Sequence, residues 1–296
     1  MTEWMAEWWL PLALAAVASY AVTALMLSGT TRLAMDVPNH RSMHEAPVLR
    51  TGGWALLVGC ALAIGVAPVA LSPLVAAAFG GLLLISVIDD FRHVSAAIRL
   101  PVHVMAVALI LLDLHAALAW WWYPLLLLAG VWMVNLYNFM DGIDGLAGSM
   151  AAIGFGCLGL LCAWRADWGL AGLCTIILVV ALVFLRFNWP PATIFLGDAG
   201  STCFGLAVVA VSLFGWQRGT FGLLAPIVVF APFWVDATLT LARRMLNGQR
   251  WWEAHREHLY QRSALRIGVR KTLHRQVAAM LAAALFALGL AMLGLA

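Results

Sequence analysis

Ten apolar runs, each close to the length of a membrane-spanning helix, dominate this sequence. They cover residues 8–28, 54–72, 74–88, 100–118, 121–138, 145–163, 169–186, 202–216, 221–241 and 274–295. A helix needs about 20 predominantly apolar residues to cross a bilayer. Because 64% of the residues are hydrophobic and only 10% are charged, against roughly 25% charged in soluble domains, lipid must be the solvent for most of the chain. The sequence therefore predicts an all-α polytopic membrane protein with about ten transmembrane helices, forming one domain over residues 1–296.

The distribution of basic residues predicts how these helices are oriented. Cytoplasmic loops of membrane proteins are enriched in Lys and Arg. If the N-terminus lies outside, only Arg165 and Arg218 of the 17 basic residues fall on the outer side. The first run lacks the basic segment that opens a signal peptide, which predicts a retained helix. We therefore expect a multi-pass protein of the cell inner membrane with both termini in the periplasm. The net charge of +3 gives no reason to expect a nucleic-acid partner.

Five aspartates stand at the inner ends of apolar runs: Asp89, Asp90, Asp141, Asp144 and Asp198. Ionisable residues close to the membrane core are costly and often mark function. The adjacent carboxylates of Asp89 and Asp90 repel each other unless a cation or a proton intervenes. A divalent metal is one solution, and two solvated charges at a helix end are the other. The placement predicts an active site on the cytoplasmic face.

Glycine-flanked motifs carry three of these aspartates. Asn138, Asp141 and Asp144 follow one another at intervals of three residues, which would place them on one face of a helix. The alternative is a turn built on the two Asp-Gly pairs. Asp198 stands beside Gly197 and precedes an apolar run. It would either cap that helix or hold Mg²⁺, which accepts one or two carboxylates together with phosphate oxygens.

The last inner loop, residues 243–273, adds histidine and arginine. The spacing of His255 and His258 would let both rings share a helical face. Taken alone, such a pair could bind zinc or lie on the surface. The neighbouring Arg256 and Arg262 favour an anionic partner, either a pyrophosphate or the lipid surface.

Two further inner positions leave alternatives open. Arg41 and Arg50 lie in a first inner loop rich in Pro and Gly, where they would either hold a phosphate or anchor the loop. Asp236 lies inside the ninth apolar run. For this residue we favour a structural role, or support of other site residues.

Together these motifs resemble the polyprenyl-phosphate N-acetylhexosamine-1-phosphate transferase family, glycosyltransferase family 4. Five segments stand in the family's order between residues 36 and 262: DVPNHRSMHEAPVLRTGG, IDDFRHVSAAIR, NLYNFMDGIDGLAGS, FLGDAGST and the loop containing AHREHLYQR. That loop lacks the adjacent histidines of the peptidoglycan branch. Its HLYQR ending is similar to the O-antigen-initiating subgroup.

The resemblance implies a reaction. An N-acetylaminosugar 1-phosphate, either GlcNAc or a 6-deoxy relative such as FucNAc, would pass from a UDP-sugar to undecaprenyl phosphate with release of UMP. This would be the first membrane step of O-antigen (lipopolysaccharide) or other cell-surface polysaccharide synthesis. Partners would be these two substrates and the lipid bilayer, and a homodimer is an open alternative to a monomer.

The resemblance also implies Mg²⁺, with Mn²⁺ as an alternative, and roles for individual residues. Asp198 and Asp89 would bind the metal, and Asp90 would join Asp89 in serving the attacking phosphate. Other catalytic positions would be Asp141, Asp144, His255 and His258. Substrate-binding positions would be Asn138, Arg41, Arg50, Arg99, Arg256 and Arg262. Arg99 stands where many relatives carry lysine, and the two side chains differ in geometry.

The chemistry of the acceptor favours one mechanism over another. A phosphomonoester has a second pKa of about 6, so the lipid phosphate is largely ionised at neutral pH. A general base is then a minor requirement, and bringing two anionic phosphates together is the harder problem. We therefore favour direct attack on the β-phosphorus, while a double displacement through a covalent aspartyl intermediate stays open. The main alternative function is an ion-coupled transporter, although transporters often place ionisable groups near the membrane midplane.

Overall fold

The computed structural model describes residues 2–29, 34–36, 47–92, 94–114, 118–249 and 255–295. Arg41, one of the predicted substrate-binding residues, lies outside them. The described residues form twelve helices and two short strands. In chain order these are α1 Thr2–Leu27, β1 Met35–Asp36, β2 Val48–Leu49, α2 Gly52–Val66, α3 Pro73–Phe91, α4 Ala96–Leu112, α5 Trp122–Phe139, α6 Leu146–Trp164, α7 Trp168–Asn188, α8 Gly197–Gln217, α9 Leu224–Val229, α10 Ala231–Leu246, α11 Leu259–Ile267 and α12 Val269–Met292.

Six of the described helices are long and apolar enough to cross a membrane. They cover Trp4–Leu27, Pro73–Phe91, Leu146–Trp164, Trp168–Asn188, Gly197–Gln217 and Val269–Met292. The chain is therefore a mostly helical, multi-pass membrane protein. Every predicted run contains a helix, but some are short. Helix α2 has only 15 residues, about 22 Å at 1.5 Å per residue, against a hydrocarbon core of about 30 Å. Ten crossings and periplasmic termini accordingly stay predictions.

The ninth apolar run does not form the single helix that its hydropathy predicted. It is divided into α9 and α10, with Phe230 between them. Pro232 stands in the first turn of α10. Proline has no backbone N–H to donate, so it fits the start of a helix but disturbs a helix interior. Pro232 therefore explains the break, which a hydropathy profile does not predict.

Helix α8 is the centre of the bundle. Of its apolar window, 89% is buried inside the protein, against 22% for α12 at the periphery. Its first turn contains Asp198. Gly53 of α2 packs directly on this turn, because a Cβ there would lie 2.3 Å from the backbone nitrogen of Gly200. The most buried helix thus presents a carboxylate at its own N-terminus.

A small strand pairing departs from the all-α prediction and fixes the loop before α2. Strands β1 and β2 are antiparallel, with Met35 opposite Leu49. On the other side of β2, Leu49 bridges Ile194 in parallel, and its carbonyl accepts a hydrogen bond of 2.7 Å from the Phe195 backbone N–H. The residue after β2, Arg50, is thereby held beside the segment that leads into α8.

Candidate active site

Asp90 is a buried carboxylate in the last turn of α3 with all its contacts inside the protein. One oxygen accepts from the Trp54 indole N–H at 2.9 Å. The other accepts from the Asp198 backbone N–H at 3.1 Å and from Arg50 Nη2 at 3.3 Å. Its side chain is 0% exposed. Asp90 therefore joins α2, α3 and α8, and these donors leave it poorly placed to accept a substrate proton.

Asp89 points in a different direction from its neighbour. Its Oδ1 accepts from the Val94 backbone N–H at 2.6 Å, and its Oδ2 accepts from Arg99 Nη1 at 2.7 Å. The same nitrogen lies 2.7 Å from Asp198 Oδ2. The two carboxylates also contact each other directly. One guanidinium nitrogen thus bridges two carboxylates that would otherwise repel.

Asp198 is the more accessible member of this pair, with 20% of its side chain exposed against 4% for Asp89. It lies in the first turn of α8, where the helix dipole favours a negative charge. Helix α5 also meets it, since Asn138 Nδ2 donates to Ser201 Oγ at 3.0 Å. Asn138, Asp89 and Asp198 thus lie close together, and the roles assigned to them stay predictions.

The donor set is compatible with a magnesium ion that a substrate helps to hold. Among the described residues no group of three or more His, Cys, Asp or Glu side chains could hold a metal alone. Asp89 and Asp198 nevertheless direct one oxygen each at a single cationic nitrogen. Mg²⁺ is commonly bound by one or two carboxylates plus substrate phosphates and waters. These two residues fit such an ion.

Asp141 and Asp144 are not on a helical face, contrary to the helical interpretation of their spacing. Residues 140–145 form a loop, and α6 begins only at Leu146. Gly145 has a φ of +77°, a conformation that glycine adopts readily and that ends helical geometry. Asp144 Oδ2 accepts from the Ala192 backbone N–H at 2.9 Å. The alternative turn interpretation is the correct one.

Asp141 lies in this loop among negative neighbours. Burial raises the pKa of its carboxyl well above the ordinary value, and the charges of Asp198, Asp144 and Asp90 raise it further. A carboxyl in such surroundings either keeps its proton or attracts a cation. The loop therefore extends the acidic site from the start of α8 to the end of α5.

The two loop histidines also do not share a helical face, because both precede α11. His258 occupies the N-cap position of that helix and is buried. Its Nδ1 lies 3.3 Å from Asp236 Oδ1, and the same carboxylate accepts from the Leu259 and Tyr260 backbone N–H groups at 2.8 and 2.9 Å. Asp236 thus holds the start of α11, which is the structural role that its sequence position suggested.

His255 is half-buried and stands next to His258, with ring centroids 4.9 Å apart. Its Nδ1 accepts from the Glu257 backbone N–H at 3.3 Å. Burial, together with the charges of His258 and Arg244, lowers the pKa of His255 to about 4. The imidazole is therefore neutral at physiological pH, which suits a hydrogen-bonding partner better than a charged one.

The pKa of His255 predicts a pH dependence of stability. Because the folded pKa of about 4 lies below the ordinary 6.5, the unfolded chain binds a proton first as pH falls. Stability is then lost from about pH 6.5 towards about pH 4. His255→Gln should remove part of this loss, so its thermal unfolding temperature should change less between about pH 7.5 and about pH 5.

His274→Gln is the matched control, because it removes a histidine that is exposed on α12. It should keep the pH dependence of the original protein. The raised pKa of Asp141 is common to all three proteins and cancels in the comparison. An unchanged pH dependence in His255→Gln would mean that folding does not disfavour protonation of this ring.

The described arginines among the predicted substrate-binding residues fall into two groups. Arg50 and Arg99 contact the aspartates, as described above. Arg256 is exposed and Arg262 partly exposed, and neither is paired with a carboxylate in the described part of the chain. The predicted site therefore has an acidic centre with two engaged arginines, and two further arginines available to an anion.

Tertiary packing adds residues that the sequence motifs did not single out. The Tyr260 hydroxyl donates to the Phe139 carbonyl at 2.9 Å, which joins the histidine loop to the end of α5. Asn188 accepts from the Gly145 backbone N–H and donates to the Ile194 carbonyl, both at 2.8 Å. Tyr260 lies inside the HLYQR segment, where no spacing marks it. Trp54 and Asn188 stand at or just beyond the ends of apolar runs, and only that position could have drawn attention to them.

Comparison with known proteins tests the family resemblance. The sequence profile described as Glycosyl transferase family 4 matches residues 72–215, the part that runs from the start of α3 to the end of α8 and includes Asp89, Asn138 and Asp198. A probable undecaprenyl-phosphate N-acetylglucosaminyl 1-phosphate transferase of Bacillus subtilis is 29% identical over 248 residues, covering 77% of this chain and 69% of that protein. Over these residues the chain is similar to glycosyl transferase family 4. The family resemblance of its motifs is thereby confirmed.

Two other relatives show how the similarity is distributed along the chain. The undecaprenyl-phosphate alpha-N-acetylglucosaminyl 1-phosphate transferase of Escherichia coli strain K12 is 27% identical over 252 residues, 76% of this chain and 68% of that protein. A phospho-N-acetylmuramoyl-pentapeptide-transferase of Bacillus thuringiensis is 36% identical, but only over 101 residues, 34% of this chain and 31% of that protein. Similarity to the N-acetylglucosaminyl transferases thus extends much further along the chain.

Proposed function

We propose that this protein transfers an N-acetylaminosugar 1-phosphate from a UDP-sugar to undecaprenyl phosphate, releasing UMP. The sugar would be GlcNAc or a 6-deoxy relative such as FucNAc, and the product would begin O-antigen or another cell-surface polysaccharide. The observation that carries the proposal is the meeting of Asp89, Asp198 and Arg99 at the ends of helices α3, α8 and α4. The extended similarity to N-acetylglucosaminyl 1-phosphate transferases supports the same reaction.

The site would hold the donor through its phosphates. Mg²⁺ between Asp89, Asp198 and the diphosphate would neutralise charge and stabilise the leaving UMP. Asn138 and the loop of Asp141 adjoin this point from α5 and would line the nucleotide. His255, neutral at physiological pH, would offer hydrogen bonds to the sugar or the phosphates without adding charge.

An apolar groove along α5 and α8, two of the helices that carry site residues, suits the acceptor's isoprenoid chain. Its volume is about 430 Å³, and it lies between α5, α8, α9 and α10. Trp132, Met133 and Ile227 are among its lining residues, and Leu136 at its edge precedes Asn138 by two positions. A chain in this groove would stay in an apolar setting while its phosphate reached the aspartates.

Direct attack by the lipid phosphate is the mechanism we favour. The Arg50, Trp54 and Asp198 contacts of Asp90 occupy both its oxygens, which argues against a covalent intermediate there. Asp89 would orient the acceptor together with the arginines. An ion-coupled transporter is less well supported, because the acidic residues of the site cluster at one end of the helices and not near their middle.

The proposal is tested by UMP release from detergent-solubilised protein. The reaction would contain undecaprenyl phosphate, Mg²⁺ and either UDP-GlcNAc or UDP-FucNAc. We expect UMP with one donor only in the presence of the lipid, and no UMP after EDTA treatment until Mg²⁺ is restored. A stoichiometric burst of UMP without lipid would instead indicate a covalent intermediate. Absence of UMP and of any radiolabelled lipid product with both donors would contradict the proposed reaction.

A further inference from the structure

Arg99 occupies the position that a divalent cation would take between two carboxylates. A single atom, Nη1, lies 2.7 Å from both Asp89 Oδ2 and Asp198 Oδ2. An arginine that binds a carboxylate strongly usually does so through two parallel N–H groups. Here one nitrogen serves both acceptors, and Nε is buried without a hydrogen-bond partner among the described residues. The guanidinium therefore neutralises the pair without being fixed by its full set of donors.

A metal ion and this guanidinium cannot both contact the same two oxygens. They carry like charges, and like charges a few ångströms apart disfavour each other. If Asp89 and Asp198 bind Mg²⁺, as the proposed function requires, Arg99 Nη1 must leave them. Leaving an arginine close to the protein interior without an anion is costly. The displaced side chain therefore needs another acceptor within reach.

The donor diphosphate is the anion that the proposed reaction brings to this point. Arginine matches phosphate oxygens with its planar fork of N–H groups. The side chain of Arg99 is 29% exposed, so part of it is accessible from outside the protein. Movement of this one side chain would transfer its charge from the carboxylates to the phosphates while the cation takes its former place.

We propose that Arg99 exchanges between the Asp89–Asp198 pair and the donor diphosphate, so that the divalent cation and the nucleotide bind cooperatively. The inference rests on the proposed function for the identity of the nucleotide. Without nucleotide, Arg99 competes with the cation and lowers its affinity. With nucleotide, the competitor is drawn away. Because coupling between two ligands is reciprocal, the cation must strengthen nucleotide binding by the same factor.

The first test measures Mn²⁺ binding to the detergent-solubilised full chain without nucleotide, from the electron paramagnetic resonance signal of free Mn²⁺. Arg99→Gln removes the competing charge and keeps a polar side chain, so Mn²⁺ should bind about tenfold more tightly. Arg266→Gln, which removes an exposed charge from α11, should leave the affinity unchanged. Equal affinity of Arg99→Gln and the original protein, or an equal gain in Arg266→Gln, would overturn the proposal.

The second test adds UDP, with the Mn²⁺–UDP complex measured in protein-free solution and subtracted. UDP should tighten Mn²⁺ binding in the original protein but have little effect in Arg99→Gln. If that variant does not fold, Arg99→Lys serves instead. An ammonium group can separate the carboxylates but lacks the fork for phosphate, so this variant should bind Mn²⁺ like the original protein and lose the UDP effect. Full retention of the UDP effect in Arg99→Lys would overturn the exchange.

These measurements separate the inference from the proposed function. Mn²⁺ binding in the absence of nucleotide involves neither the donor nor the acceptor. If Arg99→Gln gains Mn²⁺ affinity while no UDP-sugar supports transfer, competition at the carboxylates stands and the assigned reaction fails. If transfer occurs but Arg99→Gln gains no affinity, the reaction stands and the exchange fails.

Discussion

Asp198→Asn should reduce UMP release about a thousandfold or more while leaving the protein folded. Asp198 is the most accessible carboxylate of the pair that Arg99 joins, with 20% of its side chain exposed. Asparagine has the same shape but no negative charge, so it binds Mg²⁺ poorly. Charge stabilisation by a bound metal contributes several kcal/mol to a transition state, and each 1.36 kcal/mol corresponds to about a tenfold change in rate. The measurement is the rate of UMP release at saturating Mg²⁺, compared between Asp198→Asn and the original protein.

Folding should survive this substitution, because the change costs little elsewhere. A charge in the first turn of a helix contributes about 0.3–1 kcal/mol, and the Asp198 backbone N–H keeps its bond to Asp90. Gel filtration and thermal unfolding in detergent would verify that the variant is intact. The loss of activity would then report on the site itself.

Asp167→Asn is the matched control for Asp198→Asn. Asp167 also precedes a long helix, accepting from the Leu170 backbone N–H at 3.2 Å, and it pairs with Arg218 at 3.2 Å. It lies at the end of α7 that is opposite to Asn188 and the site. The same isosteric change there should retain transfer activity. Substantial activity in Asp198→Asn, or equal loss in both variants, would contradict the role assigned to Asp198.

Gly53→Ala should strongly destabilise the protein and abolish transfer. A Cβ at this position would lie 2.3 Å from the Gly200 nitrogen, 2.5 Å from its Cα and 2.8 Å from the Leu196 carbonyl oxygen. All three are backbone atoms, so no side chain can turn away to make room. Overpacking typically costs about 1–3 kcal/mol and occasionally more. Helix α2 would have to separate from α8, which would move Arg50 and Trp54 away from Asp90.

Gly65→Ala provides the control within the same helix. Nothing lies within 4 Å of a Cβ at Gly65, and alanine favours helix by about 1 kcal/mol relative to glycine. This variant should therefore be at least as stable as the original protein and fully active. The thermal unfolding temperature and the rate of UMP release, measured for both variants, test these expectations. Equal behaviour of the two would show that α2 and α8 do not approach closely at Gly53.

The positions of the helices could be predicted largely from hydropathy, since each apolar run contains a helix. What hydropathy could not predict was the division of the ninth run at Phe230, or α11 inside a loop that appeared merely polar. Proline in the first turn of α10 explains the division. Helix α11 depends on Asp236, which caps it from another helix. The sequence of residues 259–267 alone cannot reveal that contact.

The sequence named several residues that the structure brings close together, but it did not predict their arrangement, and their functional roles stay predictions. Spacing suggested that Asp141 and Asp144 act together, yet Gly145 turns the chain and Asp144 bonds to the loop before α8. Adjacency suggested that Asp89 and Asp90 act as a pair, yet their side chains serve different partners. The spacing of residues along a chain predicts which side chains are neighbours only within a helix or a strand. Both aspartate motifs lie where a helix ends, so their spacing did not predict their partners.

The sequence by itself determined that the chain is a helical membrane protein, which residues could carry chemistry, and which family they resemble. Those properties depend on composition and local motifs, which can be recognised in the sequence alone. Only the tertiary structure decided that Arg99 lies between Asp89 and Asp198, and that Trp54 and Arg50 engage Asp90. The physical reason is that these contacts join segments up to 99 positions apart. They exist because small residues such as Gly53 let α2 and α8 meet, and a side chain's partners across such an interface are determined by packing.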